Sequence, residues 1–116
     1  MESGIRIEET RDAGNRWIES FAILPEMENT AADHLIFLLP MVDHISLSND
    51  EDEGHEGTTL VRDSSPGFEV KNGGHGWQGE WTPMTHDEVR RRILELAPLN
   101  SGGHWSCQGS ITRPKE

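Results

Sequence analysis

Three histidines and one cysteine have the types and neighbours that chemistry would need. His55, His75 and His104 each follow a glycine, and Cys107 lies shortly after His104. Glycine-rich segments leave side chains reachable at a surface, and imidazoles with a thiolate are a donor set that Zn²⁺ accepts. The spacing argues the other way. Zinc ligands usually arrive as close pairs, and only His104 and Cys107 form one. The plain alternative is loop histidines facing water, so no metal or other cofactor is assigned.

Cys107 as a nucleophile would need a lowered pKa from a nearby cation or a helix N-terminus. Along a regular strand His104 and Cys107 point to opposite faces, because their separation is odd. His75 or His86 would then have to serve as the base. A buried, inert cysteine is the commoner fate. Other catalytic signatures are missing. Gly73-Gly74-His75-Gly76 lacks the Lys-Ser/Thr of a phosphate-binding loop, and neither Gly-x-Ser-x-Gly nor His-Glu-x-x-His occurs. The acidic stretch 48–57 is rich in oxygen donors of the kind Ca²⁺ takes, yet lacks the order of an EF-hand loop. No catalytic residue is assigned.

Charge narrows the partners. The chain has 116 residues, 21 acidic against 10 basic, and a formal net charge of −11. A phosphate backbone or an anionic membrane would repel it, whereas a basic protein surface would attract it. Arg90-Arg91-Arg92 is a basic triplet too narrow for a nucleic-acid footprint, and reads as a solvated helix face. Trp77, Trp81 and Trp105 lie near glycines. They either pack a sheet against helices or, with Glu80, form an exposed anchor for a partner. Glu69 and the acidic loop would help steer that partner. The single cysteine excludes an internal disulfide and fits a reducing cytoplasm. The N-terminus carries no signal-peptide pattern, and the apolar run 35–42 is too short to span a bilayer.

The elements that must position these groups can be read in part. Residues 84–98 form the clearest segment. Thr85 and Glu88 have capping-box spacing, Met84 and Val89 the spacing of a hydrophobic staple. Val89, Ile93, Leu96 and Ala97 make one apolar stripe, and Pro98 stops the turn. Arg91 and Glu95 stand one turn apart and can pair. A second helix is expected at about 30–39, capped by Asn29 or Thr30, apolar nearly all round and therefore well covered. Residues 5–10 and 16–23 read as a hairpin around Gly14-Asn15, and 58–62 and 67–71 as another around Asp63-Ser64-Ser65-Pro66. Residues 41–47 are either a turn or a short strand. Residues 77–81 and 104–112 read as further strands. Asp33-His34 and Asp43-His44 repeat a dipeptide, but Pro40 between them prevents their sharing a helix face.

The sum is one α+β domain over residues 1–116, a largely antiparallel sheet with two helices on one face. The function these features favour is a small acidic, non-enzymatic binding module for a protein with a basic surface, cytoplasmic, with homo-oligomerisation left open. Inhibitors, immunity proteins and phage-encoded antagonists share this size and charge, an analogy of class without a motif behind it. The alternatives are a metal- or thiol-dependent enzyme built on Cys107, His104 and His75, and a structural subunit of a larger assembly.

Overall fold

In a computed structural model, residues 3–48, 57–74, 77–97 and 109–114 are described. The first hairpin follows from alternation. Strand β1 (Ile5–Asp12) and strand β2 (Arg16–Ile23) pair antiparallel from Ile5↔Ile23 to Asp12↔Trp17, joined through Gly14 at φ +71°. A positive φ there suits glycine, which has no Cβ to clash. The register slips between Ile7 and Glu9, so Glu8 is an extra residue in β1. Such a bulge bends an edge strand away from unwanted pairing.

Helix α1 (Glu28–Leu38) begins earlier than expected. Met27 occupies the N-cap without a side-chain bond, and Asn29 instead accepts a hydrogen bond from Arg90 at 3.0 Å. Pro40 does not end the chain's helical path abruptly; it sits in a 3₁₀ turn, Leu39–Met41. The helix is not covered all round. Ala31, Ala32, Leu35, Ile36 and Leu38 are buried, whereas Phe37 is 68% exposed and Met41 53%. One stripe meets the sheet; the exposed positions of α1 are Asn29, Thr30, Asp33 and Phe37, so Phe37 is the apolar side chain that the helix leaves to solvent.

Residues 44–48, ambiguous in sequence, form strand β3 (His44–Ser48). The second hairpin is β4 (Gly57–Asp63) with β5 (Phe68–Gly74), paired from Gly57↔Gly74 to Asp63↔Phe68. The expected strand at 77–81 is interrupted. Strand β6 (Trp77–Gln78) gives way at Gly79, whose N–H donates to the Asn72 carbonyl at 2.6 Å, and strand β7 (Thr82–Met84) follows. Both pair with β5, so they share one edge. Helix α2 (His86–Leu96) has the full capping box, with Thr85 extended at ψ 168° and bonded reciprocally to Glu88.

The last strand, β8 (Gly109–Pro114), runs to 114 where the sequence suggests an end at 112, and 104–108 of the expected strand lie outside the described residues. It is also not an edge strand. Among the described residues eight strands form one antiparallel sheet in the order β1-β2-β8-β3-β4-β5-β6, with β7 beside β6 on β5, so the sheet is seven strands wide. Chain-terminal β8 therefore bridges the first hairpin and β3. Phe21 pairs with Gly109, and Ile45 with Ile111.

Alternation then fixes the faces. Phe21, Ile23, Ile45, Leu47, Val61, Val70 and Ile111 point to the side that carries α1 and α2, and join Leu35, Val89, Ile93 and Leu96 in one core. On the other face Ser46 and Ser110 lie opposite each other, hydroxyls 2.9 Å apart. The expected α+β architecture, with both helices on one side, is what the fold shows. Among the described residues no helix is long and apolar enough to cross a membrane.

Candidate functional site

Two arginines of the Arg90-Arg91-Arg92 triplet, Arg90 and Arg92, are used to assemble the fold. Arg90 Nε donates to Asp33 at 2.9 Å, fastening α2 to α1. Arg92 reaches down to Thr59 and Asn72, each at 3.3 Å, fastening α2 to the second hairpin. Glu95 pairs with Arg92 at 3.5 Å rather than with Arg91. Arg91, between Arg90 and Arg92, is exposed and remains a basic group at the surface of α2.

The same economy holds across the molecule. Arg6, Arg11, Arg16, Arg62, Arg90, Arg92 and Arg113 each lie within 3.8 Å of a carboxylate of this chain. Exposed pairs of this kind add little stability each. Their consequence is electrostatic: positive charge is neutralised locally, and the surplus of carboxylates sets the outward field.

Trp81 lies on the sheet face away from the helices. The Arg62 guanidinium is 3.9 Å from its ring centroid and the Lys71 ammonium 5.7 Å. Arg62 and Lys71 alternate with the buried Val61 and Val70, which places all three groups on the outer face. Trp81 therefore does not pack the sheet against the helices. It is half-buried under its own cations, with exposed Glu80 beside it. The backbone of Trp77 belongs to β6. Trp105, His55, His75, His104 and Cys107 lie outside the described residues, as does most of the acidic stretch 48–57.

His34 and His44 do not converge. His34 is on α1. His44 is on the sheet face opposite the helices, paired with Thr112. Burial lowers the pKa of both. The charge of Arg113 adds to that effect at His34; at His44 Asp43 opposes it and Arg16 adds to it. Among the described residues no three metal-ligating side chains cluster.

Among the described residues a concave feature lies where the second hairpin's turn meets the start of α2. Phe68 pairs with Met84 across β5 and β7, so the turn and the helix N-terminus are brought side by side. A groove of about 530 Å³ results, lined by Ser64, Pro66, Gly67, Phe68, Pro83, Met84, Thr85, His86 and Glu88. Gly67 has φ +90°, a conformation that side chains other than glycine's resist. Phe68 is nearly buried and forms the floor, with the His86 ring tilted 53° to it at 6.4 Å.

The polar side of the groove is pre-set by the capping box. Glu88 N–H donates to the Thr85 hydroxyl at 3.2 Å, and Thr85 N–H donates to Glu88 Oε1 at 2.9 Å. The Thr85 backbone N–H first, and the Thr85 side chain after it, hold the Glu88 carboxyl below its ordinary value. The exposed His86 ring lies 3.5 Å from the Asp87 carboxylate at the start of the helix.

In sequence the capping box revealed Thr85 and Glu88, and His86 was named only as a spare base. Pro66, Phe68 and Met84 gave no sign of a shared wall, because only strand pairing joins them. Compared with known proteins, the chain matches no family model, no curated protein and no solved structure.

Proposed function

We propose that this chain is a non-enzymatic binding module whose partner is a protein with a basic surface. The observation that carries the reading is the disposal of its positive charge. Among the described residues every arginine but Arg91 stands against a carboxylate of this chain, and the carboxylates in excess of those pairs give the chain its net charge of −11. Such a field raises the encounter rate with a basic protein and works against nucleic acid and anionic lipid. The single cysteine supports a reducing compartment, and we assign the module to the cytoplasm. Inhibition of the partner is the action that fits a small module without turnover of its own.

The test is affinity capture from the native host, followed by measurement of the isolated complex at rising ionic strength. A basic partner whose association rate falls steeply with salt supports the reading. A partner of acidic or neutral surface, or an association indifferent to salt, refutes it. So does a catalytic turnover that disappears in Cys107→Ser.

A further inference from the structure

Resting on that binding reading, we infer that the groove between the β4–β5 turn and the N-terminus of α2 receives a lysine or arginine side chain of the basic partner. Two independent features point to this occupant. The first is shape with chemistry: Pro66, Phe68, Pro83 and Met84 give an apolar wall and floor. The methylene stem of a basic side chain buries well against such a surface while its charged head stays in water. The second is charge. No lysine or arginine is among the lining residues, while Glu88 faces the groove. Asp87 follows on the helix with its side chain 93% exposed, and Asp63 closes the turn, accepting from Ser65 at 2.7 Å.

The groove lies at a helix N-terminus, which would ordinarily favour an anion. Here the capping box opposes that. Thr85 and Glu88 already occupy the donors nearest the groove, and the cap itself is negative. Arg91, one turn along α2, is the cation whose field reaches Glu88. It offsets part of the local charge without lining the site. The exposed His86 ring offers a planar guanidinium a stacking surface beside the carboxylate.

The experiment is an amide-resolved NMR titration of the full chain. The probes are a short acetylated peptide containing one arginine, its lysine counterpart, and the same peptide with citrulline. The proposal expects saturable shifts at Gly67, Phe68, Thr85, His86 and Glu88 with both cations, and little with citrulline. Glu88→Gln keeps the capping box, because glutamine makes the same bonds. It should nevertheless weaken arginine binding roughly two- to fivefold, the scale of an exposed charge pair. Met84→Ala should weaken it through the lost apolar wall. Citrulline binding as well as arginine, shifts mapping to another face, or the absence of saturable shifts overturns the groove assignment. The partner reading fails separately, on the salt test of the captured complex. A basic partner that binds Glu88→Gln and Met84→Ala as tightly as the parent would sink the groove and leave that reading standing.

Discussion

Gly109 should tolerate no side chain, and the cost can be worked from its surroundings. It pairs with Phe21 across β2 and β8, and the Phe21 ring lies over it. A Cβ added at Gly109 would stand 2.2 Å from Phe21 Cζ and 2.7 Å from both Cε atoms. Ordinary carbon contacts begin at about 3.5 Å, so the ring would have to retreat by about 1.3 Å. Phe21 is fully buried, so its ring can retreat only by displacing its neighbours in the core. Overpacking of this kind costs about 1–3 kcal/mol. Against that, replacing glycine where φ is not positive gains about 0.4–1 kcal/mol from the unfolded chain. Gly109→Ala should therefore lose about 1–2 kcal/mol, a fall in Tm on the order of 5 °C. Urea unfolding would measure it. The stronger check is a double-mutant cycle with Phe21→Leu. If the ring is what the new methyl meets, the double mutant is more stable than the sum of the singles by about 0.5 kcal/mol or more. Strict additivity, or a cost of Gly109→Ala below about 0.5 kcal/mol, would show that β8 does not lie against β2 in this register.

Three further outcomes are expected. Thr85→Ala removes the oxygen that accepts the Glu88 amide, and should lower stability by about 1 kcal/mol in thermal unfolding. Arg90→Ala severs α2 from Asp33 and Asn29 and should cost about 0.5–1 kcal/mol, whereas Arg91→Ala should stay within about 0.5 kcal/mol; equal costs would contradict the fastening role. His44 is held below 6.5 by burial first, so the unfolded chain protonates before the folded one. The stability linked to it is complete above 6.5 and declines as pH drops from there towards the folded value. Chemical unfolding above and below pH 6.5 should therefore show a smaller loss in His44→Gln than in the parent, and an unchanged loss would refute the linkage.

Much of the secondary structure follows from local signals. The capping box at Thr85 and Glu88 specifies the start of α2, since it depends on residues three apart. Turn residues at Gly14-Asn15 and Ser64–Gly67, flanked by alternating apolar side chains, specify two hairpins. Where a local signal met a tertiary competitor, the competitor won. Asn29 was available as a cap, but Arg90 takes its oxygen, and α1 starts at Glu28 instead. Residues 77–81 alternate like one strand, but β6 ends at Gln78 where Gly79 donates to the Asn72 carbonyl, and β7 begins only at Thr82. Phe37 belongs to an apolar run, yet it lies opposite the stripe that α1 buries.

Composition alone determined the sign and size of the charge, and with it the kind of partner that electrostatics favours. It did not determine where that charge faces. Whether Arg90 and Arg92 form a basic patch or become internal fastenings depends on which carboxylates and amides stand opposite, and those come from α1 and the second hairpin. The groove is likewise tertiary, because Pro66 and Met84 meet only through the pairing of Phe68 with Met84. Most of all, the sequence placed β8 last, and the sheet placed it in the middle. Strand order is set by which apolar faces and unpaired edges fit across the whole chain, and no run of neighbouring residues carries that information.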